Sequence, residues 1–194
     1  MRLLLIISLF LTIFYSNAQT IAAKDSIYQE TVKTVQFYTN TQTHQTAIVS
    51  PVLEKNKEGM LTLEFDVLKE EIDYFTMRIY AYNYNWTESS FLMSNDYLEE
   101  YNEFNISSTR NSFNTRIAYL HYTVNIPTIL KSGNFLVVVY DEDENIVLSR
   151  RFMIFNNAIS VDVESGYGQN FLNQATQQFN FKIQIPSYLS LIHI

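Results

Sequence analysis

Leu61-Thr62-Leu63-Glu64-Phe65-Asp66-Val67 places apolar and polar side chains in strict alternation. Successive side chains of an extended chain point to opposite faces, so this stretch has one apolar and one wet face and reads as a half-buried β-strand. The same period recurs downstream. Phe75, Met77, Ile79 and Ala81 alternate with Thr76, Arg78 and Tyr80. Leu120, Tyr122, Val124 and Ile126 alternate with His121, Thr123 and Asn125, and Phe179, Phe181, Ile183 and Ile185 with Asn180, Lys182 and Gln184. Residues 135–140 are apolar on both faces, which predicts a central strand. The polar run Asp141-Glu142-Asp143-Glu144-Asn145 follows, then a second apolar run over residues 146–155, and strand, polar turn, strand is a hairpin. Gly133 sits before the first of these two strands, where a turn needs backbone freedom.

Short antiparallel strands at this spacing describe an all-β protein, an immunoglobulin-like antiparallel β-sandwich over about residues 32–155 within a domain of residues 19–156. Helix signals are thin; the best candidate covers residues 96–102, in a polar loop. Asn156 and Asn157 mark a boundary. Ile159, Val161 and Val163 then alternate with Ser160, Asp162 and Glu164, so residues 157–188 read as the opening strands of a truncated second β domain. Leu189-Ser190-Leu191-Ile192-His193-Ile194 is what a sequencing-library adaptor would encode, so residues 189–194 are expected to be a non-biological tail.

At the other end, Arg2 precedes an apolar run over residues 3–14, and Ser16-Asn17-Ala18 stands before Gln19. A charged start, a short apolar core and a small-x-small site describe a cleaved signal peptide over residues 1–18. The run is shorter than the roughly 20 apolar residues of a spanning helix. The 194-residue chain is 47% hydrophobic and 15% aromatic, enough for a real core, and has no Cys, so neither disulfides nor thiolate metal sites can hold it. Its formal net charge of -7 repels nucleic acid and anionic membrane surfaces.

Chemistry is hard to find. No G-x-S-x-G nucleophile elbow occurs, and the 3 His, at 44, 121 and 193, are too scattered for a metal triad. Asp141, Asp143 and Asn145 match the first liganding positions of an EF-hand loop, but Ile146 stands at its glycine and Phe152 at its closing Glu, so a solvated turn is the better reading. Glu99, Glu100 and Glu103 lie in a polar loop that gives no reason for a rigid glycosidase pair. Asn85-Trp86-Thr87 and Asn105-Ile106-Ser107 are sequons, and Asp25-Ser26-Ile27 has the look of a bacterial O-glycosylation triplet. Tyr80, Tyr82, Tyr84 and Trp86 alternate along one strand, with Tyr97, Tyr101 and Phe104 following. Such rings either form an interface or close the core under the long loop.

The middle of the chain carries a resemblance. It runs through Asn85-Trp86-Thr87-Glu88-Ser89, Asp96-Tyr97-Leu98, Tyr101-Asn102, Ser112-Phe113-Asn114-Thr115, Tyr119, His121-Tyr122 and Pro127, and closes with Ser132-Gly133-Asn134-Phe135 and Ser149-Arg150-Arg151-Phe152-Met153. In order and spacing these resemble the N-terminal domain of the type IX secretion system plug protein family of Bacteroidota. Asn85, Glu100 and Ala118 depart from it, where an acidic residue, a Gly and a Pro are usual. The resemblance implies a non-enzymatic periplasmic protein, without cofactor, metal, nucleic-acid or small-molecule ligand. It implies association with the periplasmic side of the large outer-membrane translocon barrel, closing the pore when no cargo shuttle occupies it. Motif position and chemistry together make Trp86, Tyr97, Tyr101, His121 and Tyr122 the expected partner-binding residues, with His121 and Tyr122 on opposite faces of their strand, so that at least one of those two is expected to be structural. The competing readings are a carbohydrate-binding or adhesin-like module, which would need the aromatic strip coplanar and exposed, and an enzyme with an unrecognised site.

Overall fold

The computed structural model describes residues 21–40, 50–55, 60–87, 89, 92–167 and 177–185. The expected signal peptide, His44 and the expected 189–194 tail lie outside them. The described elements are β1 (Ser26–Ile27), β2 (Val32–Asn40), β3 (Val52–Glu54), β4 (Met60–Val67), β5 (Phe75–Tyr82), α1 (Ser94–Tyr97), β6 (Phe104–Ile106), β7 (Ser108–Asn111), β8 (Leu120–Asn125), β9 (Gly133–Tyr140), β10 (Ile146–Phe155), β11 (Ser160–Tyr167) and β12 (Gln177–Gln184).

Two sheets face each other. One runs β1-β10-β9-β5-β6, with β3 also beside β10, and the other runs β2-β4-β8-β7. All pairings are antiparallel except β3 with β10, which sets Val52 beside Met153. This is an immunoglobulin-like sandwich, and the alternation explains it directly. Leu63, Phe65 and Val67 of β4, Met77 and Ile79 of β5, and Tyr122 of β8 point inward and are fully buried. Aromatic rings join the layers. Phe65 stacks on Tyr122 at 5.2 Å with Phe75 edge-on to both, and Phe135 stacks on Phe152 at 5.4 Å with Phe37 edge-on. Burying each large apolar side chain contributes about 1.5–3 kcal/mol, so packing can hold a chain that has no Cys.

Strand β9 is central, flanked by β10 and β5, and its outward residues are buried too. Leu136, Val138 and Tyr140 form a second cluster with Tyr82 and Ile146, against which Ile21, Ala23, Tyr80 and Trp86 pack. The cover is the segment before β2, which the sequence left out of the sandwich strands. Its backbone is tied down: the Tyr82 hydroxyl donates to the Ile21 carbonyl at 2.9 Å, and Ser149, fully buried, donates to the Lys24 carbonyl at 2.8 Å. Asp25 accepts from the Arg151 amide at 2.7 Å, and Ser26 and Ile27 pair with Ser149 and Leu148.

Of three local expectations, two change and one holds. The helix is a single turn at residues 94–97, starting before the 96–102 expected, because Asp96 reaches back to accept the Met93 amide at 2.8 Å. The 141–145 segment is the expected hairpin turn. Asp141 accepts the amides of Asp143 and Asn145 at 3.1 and 2.8 Å, so its carboxylate serves the turn itself. Strands β11 and β12 pair only with each other, and their described side chains are exposed throughout. Val161, Val163, Phe181 and Ile183, expected on a half-buried face, are 53–66% exposed, because no other described strand covers them.

Candidate interaction surface

At the end of β5 the chain turns through Asn83-Tyr84-Asn85-Trp86-Thr87. The Trp86 amide donates to Asn83 at 2.9 Å and the Asn83 amide to the Thr87 carbonyl at 2.8 Å. Asn85 accepts from both the amide and the hydroxyl of Thr87, and Asn134 donates to the carbonyls of Asn83 and Tyr84. Trp86 sits at φ 62, a left-handed conformation that costs a non-glycine residue about 1–2 kcal/mol. The network holds it there, and the result is that the indole folds back onto the outer cluster. The Arg151 guanidinium covers it at 5.1 Å, and the Tyr82 ring lies 6.3 Å away, tilted by 40°.

The aromatic strip is therefore neither sandwich core nor a flat platform. Tyr80 and Tyr140 share a hydrogen bond between their hydroxyls at 2.8 Å, and burial, then that partner, raises the Tyr140 pKa. Tyr82 is buried, and Tyr84 alone among the four points into solvent, at 92%. A sugar ring would find no coplanar exposed pair here.

Two of the five expected contact residues are structural. Tyr97 is 3% exposed. Its ring lies 5.4 Å from Phe135 and its hydroxyl donates to the Ile79 carbonyl at 2.8 Å. The Asn102 side chain takes both backbone groups of Ile79, at 2.8 and 2.7 Å. Together they cap the edge of β5 beyond the three residues that β6 covers. Burial pushes the Tyr97 pKa up to about 12. Tyr122 is fully buried, and its hydroxyl fastens Asp73. Neither has surface to offer a partner, since each ring fills the core and each hydroxyl is committed to backbone.

The other three keep some surface but stand apart. Trp86 is half-buried on the outer face of the larger sheet, and Tyr101 is 83% exposed in the loop after α1. His121 faces outward from the smaller sheet. Its Nδ1 donates to Asp66 at 2.8 Å, and its Nε2 lies 3.9 Å from Glu64. One His and two carboxylates bridge β4 and β8, an outer-face link across an otherwise polar sheet surface.

A cavity of about 520 Å³ opens where the β4–β5 connection meets the 141–145 turn, lined by Ile72, Asp73, Tyr74, Thr76 and Asp141 among others. Two of its three carboxylates are engaged: Asp73 holds Lys69 at 2.6 Å, and Asp141 accepts Gln29 at 2.9 Å, while Glu142 is exposed at the rim. Phe113, part of the resemblance but not among the expected contact residues, is 93% exposed at the tip between β7 and β8. Its neighbours are polar, so no apolar pattern singled it out.

A family model described as "Type 9 secretion system plug protein 1st domain" matches residues 32–156. A crystal structure of a hypothetical protein from Parabacteroides merdae superposes with a TM-score of 0.72 at 20% identity, over 87% of this chain and 43% of that one, so the chain spans under half of that protein's length. At that identity the likeness is one of fold. An immunoglobulin-like protein from Pseudomonas aeruginosa aligns at a TM-score of 0.36 and 7% identity, over 70% of this chain and 100% of that one. No curated protein matches the sequence. With the match running from the first long strand of the sandwich through its last, the chain belongs to the family of type 9 secretion system plug protein first domains.

Proposed function

We propose that the protein is a non-enzymatic, periplasmic stopper of the type 9 secretion system. It lies against the inner side of the outer-membrane translocon barrel and closes the pore while no cargo shuttle is engaged. The observation that carries this reading is the family match across residues 32–156. The physics supports it. A wide barrel leaks solutes unless a folded body obstructs it, and a stopper must resist deformation without chemistry of its own. This sandwich is packed on both faces of its larger sheet and capped along the edge of β5. The acidic chain is suited to a protein partner rather than to nucleic acid.

The test is co-purification. The tagged full-length protein is isolated from detergent-solubilised envelopes of its own host, and its companions are identified by mass spectrometry. The expected result is a very large outer-membrane barrel. Recovery of periplasmic proteins alone, with the barrel present in the input, contradicts the reading.

A further inference from the structure

Phe113 is the most exposed large apolar side chain among the described residues. It is not on a loose loop. The Ser112 amide donates to the Tyr119 carbonyl at 2.9 Å, and the Tyr119 amide returns to the Ser112 hydroxyl at 2.9 Å. The Thr115 hydroxyl donates to the Ile117 carbonyl at 2.9 Å, and Asn114 takes a left-handed turn at φ 55. A loop tied at its base and across its tip thus holds Phe113 and Ile117, 93% and 63% exposed, in water. A preorganised aromatic loses little conformational freedom on docking, which is what an interface anchor requires.

The charge around it is as distinctive. The chain has 20 Asp and Glu, yet none falls between Glu103 and Asp141. Arg110 and Arg116 flank the tip, both exposed and neither in an ion pair among the described residues. The tip is a small apolar and cationic spot on an acidic molecule.

We propose that the β7–β8 tip is the anchor by which the protein seats on its partner. Phe113 and Ile117 enter an apolar pocket on a protein surface, and carboxylates at the rim of that pocket receive Arg110 and Arg116. The inference rests on the stopper reading, for it names the surface that meets the barrel. A protein pocket fits better than a lipid surface, because an anionic bilayer would repel the chain's -7 charge as a whole while a carboxylate rim meets only the tip.

The test compares the full-length wild type with Phe113→Ser, Ile117→Ser and the double variant Arg110→Gln/Arg116→Gln in recovery of the barrel from native envelopes. Thermal unfolding is measured alongside. Both apolar positions are exposed, so folding is expected to be unchanged. Phe113→Ser is expected to lower barrel recovery by at least about tenfold, as loss of an anchor does. The double Arg variant is expected to bind less and to lose the wild type's dependence on salt. Wild-type recovery matched by folded Phe113→Ser and Ile117→Ser overturns the tip as anchor and leaves the stopper reading standing. Failure of the wild type to recover the barrel removes the stopper reading and this inference with it. Wild-type binding to phosphatidylethanolamine–phosphatidylglycerol vesicles that Phe113→Ser loses would assign the tip to lipid and overturn the protein pocket.

Discussion

The hydroxyl of Tyr122 closes on both backbone groups of Asp73, accepting from its amide and donating to its carbonyl, each at 3.0 Å. One side chain of the smaller sheet thereby fixes the crossing from β4 to β5, where the chain passes to the larger sheet. Tyr122→Phe keeps the stacking on Phe65 but leaves two part-buried polar groups without that partner. The expected cost is about 1–3 kcal/mol, read as a lowered melting temperature and as faster hydrogen exchange at the Asp73 amide. An unchanged melting temperature would show that water replaces the hydroxyl.

Arg78 is a second clamp. Its guanidinium pairs with Glu144 at 2.6 Å and with Glu103 at 2.9 Å while lying 5.0 Å over the Tyr140 ring. The Arg78 hydrogen bond holds the Glu144 carboxyl below its ordinary value. A carboxylate depressed in the folded state contributes stability above its unfolded pKa and loses it as pH falls through the folded one. Stability from this pair should therefore be present at neutral pH and fade below about pH 4.3, the ordinary Glu value. Because Glu144 is largely solvated, Arg78→Gln should cost no more than about 1 kcal/mol from the ion pair at pH 7. A double-mutant cycle with Glu144→Gln, run at pH 7 and pH 3, checks both size and sign: the coupling must shrink at the lower pH.

The segment before β2 should behave as part of the fold. Removing residues 21–27 uncovers Leu136, Val138, Tyr140 and Ile146 and strips the buried Ser149 hydroxyl of its acceptor. The expected loss is at least about 2 kcal/mol, from one orphaned buried donor and the uncovered apolar surface. Denaturant unfolding measures it, and binding of a hydrophobic dye reports the exposed cluster. Equal stability with and without the segment would contradict its role as a cover.

The β11–β12 hairpin should be energetically separate from the sandwich. Phe181, paired with Val163, is 66% exposed. Phe181→Thr is expected to change sandwich unfolding by less than about 0.5 kcal/mol, as surface substitutions do. It should also reduce self-association seen by light scattering, because a smaller apolar face remains. A large loss of sandwich stability would show that the hairpin is packed against it.

Much of the sandwich was legible because period-2 alternation maps directly onto burial: Leu61, Leu63, Phe65 and Val67 all face the core. The apolar run of β9 announced a strand covered on both sides, but not what covers it, since Ile21 and Ala23 are too few to register as a pattern. Tyr97 and Tyr122, expected among the partner-binding residues, are buried for one physical reason. A tyrosine can bury its ring whenever a backbone group takes its hydroxyl, and that partner, Ile79 or Asp73, is distant in sequence. Trp86 was drawn inward by a left-handed backbone that periodicity cannot reveal. The β12 alternation promised a buried face, yet burial needs a covering layer, and none lies among the described residues.

The central claim is that this protein closes a pore, and outer-membrane leakage measures that most directly. Uptake of a large antibiotic that the intact outer membrane excludes is compared in wild-type cells, cells lacking this protein, and cells lacking both it and the translocon barrel. The account predicts a rise in uptake when the protein is removed, reversed by restoring it and absent when the barrel is removed too. Uptake unchanged by loss of the protein, with the barrel present at its normal level, would contradict it.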